Sequence, residues 1–450
     1  MYTWYPFIKG RIMRDLLQQL ITDSITTSIP PYTKRDAHLP TVPGKALAVI
    51  GMRRSGKTTF LWQCLAERLA AGIPRQALLY LNFEDERLAD LQATDLQWIV
   101  EDYYRLVPHL REQTKVTFFF DEIQVVEGWE TFTRRLMDTE NVDLFLAGSS
   151  ARLLSREVAT AMRGRAMEVL IHPFSFREVL RHTDAEPREP CSAWPKSLRT
   201  ELDSRLRAYL VAGGFPESQG VPLRDRRDLL RAYVDVAILR DVIERHGISN
   251  PIPLRWLQRQ LLASPAALFS IQKFYDTLRS QGVRVGKDTL YTYLDYLEDT
   301  FLVRIVSQHS ASERKRTTSP RKAYPVDPGL IPVYEHAGRT NIGQALETVI
   351  LIELERRGYE VFFAKTGEGY EIDFLARSPE GDWRLMQICA DISNASTRER
   401  EVRALLSGLS EHPYATPLLI TLDAIAPQPG LPQPLKWQPA TAWLLGCDLI

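Results

Sequence analysis

Four short apolar runs punctuate the first part of the chain: Ala46–Ile50, Ala77–Phe83, Val116–Phe120 and Val142–Ala147. Each is nearly free of polar interruption and rich in aliphatic or aromatic residues, the pattern of strands buried on both faces of a parallel sheet. Apolar positions at helical spacing separate them, as in Trp129–Met137. Strands alternating with helices predict an α/β domain with a parallel sheet. From its place between the runs ending at Ile50 and Phe120, Ala77–Phe83 is expected to be a strand inserted between those two.

Further along the pattern changes. Helices are predicted at Leu198–Ala212 and Asp225–His246, after a proline-rich loop from Ala185 to Pro195. Ser270 opens a helix over Ile271–Ser280, Gly282–Gly286 turns, Asp288 caps a second helix over Thr289–Asp299, and Phe301–Val306 begins a strand. That order is the order of a winged helix. The remainder reads as a helix at Asn341–Arg356, strands at Tyr359–Phe363, Glu371–Leu375 and Leu385–Cys389, and an extended proline-rich tail from Pro427 to Pro439.

The chemistry sits where the first strand gives way to a helix. Gly51-Met52-Arg53-Arg54-Ser55-Gly56-Lys57-Thr58 has the spacing of a phosphate-binding loop. Gly51 and Gly56 permit backbone turns that point N–H groups inward, and the following helix adds its positive end. Lys57 is expected at the β- and γ-phosphates and Thr58 on Mg²⁺; Arg54, Ser55 and Thr59 complete the nucleotide-binding set. The strand Val116–Phe120 ends in Asp121-Glu122. Asp121 is expected to hold Mg²⁺ through water, and Glu122 to act as general base. Ser149 or Ser150, after Ala147-Gly148, is a candidate sensor of the γ-phosphate.

These motifs, with Asn82-Phe83-Glu84-Asp85, Arg163-Gly164-Arg165, Pro173-Phe174-Ser175-Phe176-Arg177-Glu178 and Gly213-Gly214-Phe215-Pro216-Glu217, resemble the prokaryotic AAA-type ATPases related to the STAND class that carry a C-terminal domain of unknown function (DUF4143). The resemblance covers nearly the whole chain. It implies an ATP- and Mg²⁺-dependent ATPase core, a winged helix and a nuclease-like C-terminal domain. It also implies that Arg163 or Arg165 completes a phosphate site in cis or from a neighbouring subunit, and that Pro216 touches adenine. The expected fold class is therefore a P-loop ATPase parallel sheet with a helical lid, then a winged helix and a restriction-endonuclease-like α/β domain. Boundaries are expected at 1–35 for an N-terminal helical segment, 36–180 for the ATPase core, 181–263 for the lid, 264–335 for the winged helix and 336–450 for the nuclease-like domain.

In the last domain Glu347 and Asp373 fit two positions of a restriction-endonuclease-like metal site. Gln387 stands where a second carboxylate belongs and Cys389 where a lysine belongs, which weakens a hard-cation site and removes the charge that helps hydrolysis. Lys365 is a candidate substitute for that lysine. The expectation is a vestigial site on a fold kept for binding.

The chain has 450 residues, 44% hydrophobic and 25% charged, enough for several cores. With 56 basic and 56 acidic residues its net charge is zero, so contact with nucleic acid has to rest on local patches. The predicted second helix of the winged helix is acidic; the basic residues Arg314, Lys315, Arg316, Arg321 and Lys322 near the wing tip are the candidate DNA contacts, to backbone rather than sequence. Cys64, Cys191, Cys389 and Cys447 show no paired spacing and suit a reducing cytoplasm rather than a disulfide framework. No apolar run is long enough to span a bilayer, and Lys9, Arg11 and Arg14 make the first residues unlike a secretory signal.

Three functions are compatible with these residues. The first is an ATP-hydrolysing switch or motor acting on or near DNA, with homo-oligomers possible. The others are an ATP-gated signalling protein that recognises protein alone, and an ATP-dependent nuclease.

Overall fold

The computed structural model describes residues 5–148, 162, 164–310, 319–335, 342–424, 426–427 and 430–447. It divides into two compact units, 1–171 and 172–450.

The first unit is built on a five-stranded, wholly parallel sheet: β1 (Ala46–Ile50), β2 (Leu78–Asn82), β3 (Val116–Asp121), β4 (Val142–Ala147) and β5 (Ala166–Leu170), in the order β2-β3-β4-β1-β5. The strand inserted between β1 and β3 is therefore β4, and β2, expected there, lies at the sheet's edge. Apolar runs specify strands but not their order, which is set by where each crossover helix packs. As an edge strand β2 has N–H groups that no strand takes up. The helix Tyr5–Thr26 supplies one acceptor, because Tyr80 N donates to Ser24 Oγ at 2.9 Å.

All six residues of β3 are buried, as its uninterrupted apolar run predicts. Phe60, Leu61 and Leu65, spaced along one stripe of the helix Lys57–Ala70, pack with Phe119 and Phe145 of the sheet. That packing fixes the helix start against the strand ends.

The second unit begins with the helices Phe176–His182, Lys196–Ala212 and Leu223–Val236, the last continuing as a π-helix over Ala237–Glu244. Two further helices, Ile271–Ser280 and Lys287–Asp299, precede a hairpin. Ser270 caps the first by accepting from Lys273 N. The second starts earlier than expected, with Gly286 at its cap and Asp288 inside the first turn, where its charge favours the helix dipole. The hairpin strands β7 (Val303–Val306) and β8 (Arg321–Pro325) join β6 (Leu268–Phe269) in an antiparallel sheet ordered β6-β8-β7.

The chain ends in a mixed sheet of β9 (Glu360–Lys365), β10 (Glu371–Arg377), β11 (Trp383–Cys389), β12 (Thr416–Thr421) and β13 (Lys436–Pro439), ordered β13-β12-β11-β10-β9. The first three pair antiparallel and the last three parallel. The helix Ile342–Arg356 and the helix Ala395–Glu411 both pack on it. The end of the proline-rich tail, Lys436–Pro439, thus closes as a strand beside β12.

A disulfide joins Cys191 to Cys447, with Cα atoms 6.0 Å apart, while Cys64 and Cys389 are free and buried. This corrects the expectation of four unpaired thiols. Partners separated by 256 residues share no local spacing and are joined by the fold alone. Among the described residues no helix is long and apolar enough to cross a membrane.

Candidate nucleotide site

The C-terminal ends of β1 and β3 lie on the same edge of the parallel sheet, which brings Gly51–Thr59 and Asp121–Glu122 together. The loop is held tightly against its own unit. Gly51 has φ +147°, and a Cβ there would stand 2.2 Å from the Ile171 carbonyl oxygen. Gly56, at φ 99°, caps the helix Lys57–Ala70 and, having no side chain, makes no capping hydrogen bond to the first N–H groups. Arg54 also takes a left-handed conformation, at φ 65°.

Lys57 is buried and its Nζ donates to the carbonyls of Gly51 and Met52, each at 3.1 Å. The ammonium is folded into the loop that would cradle the phosphate. Ser55 is fully buried with a hydroxyl that lacks a partner among the described residues. Thr58 and Thr59 are exposed on the first turn.

Asp121 is 1% exposed. Its Oδ2 accepts from the Tyr80 hydroxyl at 2.9 Å, whereas Oδ1 has no hydrogen-bond partner among the described residues. Burial pushes this carboxyl above its ordinary range and Glu122 adds to the rise, against the Thr58 and Tyr80 hydroxyls and Lys57. An orphaned, buried carboxylate oxygen beside a threonine hydroxyl and a lysine fits a hard cation and its anionic ligand. Glu122 sits at φ 52°, ψ 36°, a left-handed conformation unusual for a side chain of its size, and its carboxylate accepts from the Gln124 amide. The strain aims Glu122 away from the strand direction while Asp121 stays in register.

Tyr80 was not apparent as a site residue. Its signal is positional: β2 pairs with β3, and Tyr80 lies opposite Phe119, two residues before Asp121. A second such residue is Glu84, whose carboxylate lies 3.9 Å from Arg53 of the loop.

Arg165 is placed differently from expectation. It precedes β5, where Ala46 N donates to its carbonyl, and its guanidinium pairs with Asp138. That is the N-terminal edge of the sheet, the far side from the loop. With strands rising ~3.3 Å per residue, five residues separate Arg165 from the phosphate edge, so it serves no phosphate in cis. Ser149, Ser150 and Arg163 lie outside the described residues, as do Arg314, Lys315 and Arg316.

Pro216 belongs to the second unit, where it starts a single 3₁₀ turn after Gly213-Gly214-Phe215. A Cβ at Gly213 would fall 1.9 Å from the Asp327 carboxylate, and one at Gly214 would fall 2.0 Å from the Phe174 carbonyl oxygen. Only glycine fits either place. The buried Asp327 accepts from Gly214 N at 2.6 Å and Gly329 N at 2.9 Å; burial nevertheless pushes its carboxyl up to about 7.

The vestigial-site residues also come together, with an unexpected member. Lys322, expected at an exposed wing tip, is 1% exposed and reaches Glu347 at 3.1 Å, Glu371 at 2.8 Å and Asp373 at 3.6 Å. As a DNA contact it is ruled out by that burial; Arg321 beside it is half-buried. Alternation along β8 turns neighbouring side chains to opposite faces, and Lys322 and Tyr324 share the inward one. Lys365, the candidate substitute lysine, is exposed on β9. Gln387 donates to Glu401 at 2.7 Å.

Residues 43–180 match the family described as "AAA domain", and residues 203–339 match "Domain of unknown function (DUF8612)", where DUF4143 was expected. The chain is 31% identical over 395 residues to the uncharacterized protein MJ1544 of Methanocaldococcus jannaschii, covering 86% of this chain and 84% of that one. An uncharacterized protein of Haemophilus influenzae is 32% identical over 338 residues, covering 74% and 79%. Among solved structures, the ORC2 protein of Aeropyrum pernix overlaps 74% of this chain and 93% of its own at 13% identity and a TM-score of 0.37, a likeness too loose to bear on function.

Proposed function

The chain belongs to the protein family that includes MJ1544 of M. jannaschii, and we propose that it is an ATP-binding and ATP-hydrolysing switch of the AAA type. The observation that carries the proposal is the shared strand edge. There a glycine-cradled loop and a buried lysine meet Asp121, which has a carboxylate oxygen to spare, and Glu122, held in a strained turn.

In this reading the Gly51–Thr59 backbone and Lys57 bind the phosphates, Lys57 exchanging two carbonyl contacts for them. Thr58 and Asp121 hold Mg²⁺, which neutralises phosphate charge when bound. Tyr80 fixes the Asp121 carboxylate. Glu122 takes the proton of the attacking water. Arg163, or Arg165 from a neighbouring subunit, stabilises the transferring charge, Ser149 senses the γ-phosphate, and Pro216 contacts the adenine.

The β7–β8 hairpin and the C-terminal sheet form the output region, and DNA is its proposed partner, through Arg321 and the Arg314–Arg316 stretch. A second reading, a switch read by protein alone, draws support from the acidic helix Lys287–Asp299 and from the burial of Lys322.

The test is the steady-state ATPase rate at low salt, with and without single-stranded, duplex and branched DNA, and with Glu122→Gln as the blank. Hydrolysis lost in Lys57→Ala supports the ATPase; hydrolysis that persists there sinks it. Stimulation by one DNA form supports the DNA-linked switch, and none moves the proposal to the protein-gated one.

A further inference from the structure

A restriction-endonuclease-like domain implies a divalent metal between Glu347, Asp373 and a third acid. The residues present do not fit one. A lysine ammonium already stands among the carboxylates of Glu347, Glu371 and Asp373. Three carboxylates converge on its ammonium, two at hydrogen-bond distance and Asp373 as an ion pair at 3.6 Å. The oxygens stand at 2.8–3.6 Å from Nζ, hydrogen-bond to ion-pair range, whereas Mg²⁺ demands ~2.0–2.1 Å.

Further polar atoms of the cluster are engaged as well. Asp373 Oδ2 accepts from Ile388 N at 2.9 Å, Glu347 Oε1 also accepts from Tyr324 Oη at 2.6 Å, and the Gln387 amide is bonded to Glu401. Among the described residues no group of acids, histidines and cysteines is arranged to hold a metal.

Nor is Lys322 a loose side chain that an ion could push aside. It projects from the middle strand of the sheet β6-β8-β7, paired on one side with Leu268 and on the other with Val306, and lies over the Phe363 ring at 5.8 Å. Its partners lie on the helix Ile342–Arg356 and on β10.

We propose that Lys322 is the resident cation of this site: its ammonium takes the place of a divalent metal, bars the metal, and ties the hairpin sheet to the C-terminal sheet. A centre that in a nuclease would bind two exchangeable ligands, metal and phosphodiester, is here closed by one covalently attached charge. Lys322 acts as a structural counter-ion, with no step in hydrolysis. The inference is independent of the ATPase reading, since all its residues lie in the second unit.

The experiment is Mn²⁺ titration of the full chain followed by electron paramagnetic resonance, without nucleotide and in a Lys57→Ala background that silences the phosphate loop. The expected result is no bound Mn²⁺ that depends on Asp373. Adding Lys322→Gln should create one Mn²⁺ site per chain, at least tenfold tighter than any binding before it, and Asp373→Asn should abolish that site. Mn²⁺ bound with Lys322 intact and lost in Asp373→Asn overturns the proposal, because the ammonium would then be displaceable. A folded Lys322→Gln chain that gains no site overturns it too, because something other than the ammonium would be excluding the metal. Should Lys322→Gln not fold, the first titration alone decides.

Discussion

Asp121, buried, and Asp373, half-buried with its side chain 13% exposed, both stand near a lysine, each on a strand of a five-stranded sheet. At Asp121 one oxygen is bonded to Tyr80 and the other is left without a hydrogen-bond partner among the described residues, while Lys57 is turned aside onto backbone carbonyls. At Asp373 one oxygen is bonded to Ile388 N and the other faces Lys322, which two further carboxylates also hold. The first cluster has unsatisfied capacity and a lysine with weak, replaceable contacts. The second has its capacity used internally. Buried polar atoms without partners are costly, and those of Asp121 and Ser55 stand where the proposed nucleotide and cation would supply the missing partners. At Asp373 both oxygens already face protein groups.

The comparison breaks first at Glu122. If the left-handed turn aims a general base, Glu122→Gln should lower ATP hydrolysis by ~10²–10⁴-fold and leave nucleotide affinity intact; turnover near that of the unaltered protein would remove Glu122 from the mechanism. On the closed side, Lys322→Ala leaves the half-buried carboxylates of Glu347 and Asp373 and the more exposed one of Glu371 without their counter-ion and should lower unfolding stability by about 3 kcal/mol, the low end for breaking a buried pair. Urea denaturation measures this, and a loss below about 1 kcal/mol, the scale of exposed pairs, would show that the cluster is not closed.

Lys57→Ala should weaken binding of a fluorescent ATP analogue by roughly a hundredfold, equivalent to about 2.7 kcal/mol, beyond any loss of stability from its contacts to the Gly51 and Met52 carbonyls. Equal affinity would mean that the loop binds no phosphate.

A smaller effect separates satisfied from ionised groups in the second unit. The Asp327 carboxyl is pushed from an ordinary 3.8 up to about 7, so the folded chain holds its proton more tightly than the unfolded chain. The stability this contributes is fully present below the lower value and is lost as pH rises towards the upper one. Urea midpoints across that window should fall less in Asp327→Asn than in the parent chain; parallel declines would place the titration elsewhere. Smallest of all, Tyr80→Phe should cost about 1 kcal/mol of stability by freeing Asp121 Oδ2. A stability loss several times larger would mean that Tyr80 holds more than one hydrogen bond.

The legibility of the two sites differs for a physical reason. The phosphate loop is contiguous, and its function depends on backbone shape that glycine spacing encodes, so Gly51 to Thr59 could be read directly. Asp121-Glu122 followed from a strand buried on both faces. In the C-terminal domain Glu347, Asp373 and Gln387 stand out only through the resemblance to the restriction-endonuclease-like pattern. The residue that decides their chemistry, Lys322, looked like part of a basic surface run because Arg321 precedes it. Alternation along β8 turns the two to opposite faces, and that is visible only once the strand is known. Glu371 had a readable signal, two residues before Asp373 and so on the same face of β10.

By itself the sequence determined the elements, the phosphate loop with its acidic strand end, and the gaps in the metal pattern, because these depend on local propensity, periodicity and contiguous motifs. Tertiary structure alone decided that β4 rather than β2 lies between β1 and β3, that Arg165 stands on the edge away from the loop, that Cys191 meets Cys447, and that Lys322 fills the acidic cluster. Each of these joins residues far apart along the chain. Such pairings are selected by which faces pack together and how buried charge is balanced, and no local pattern carries that information.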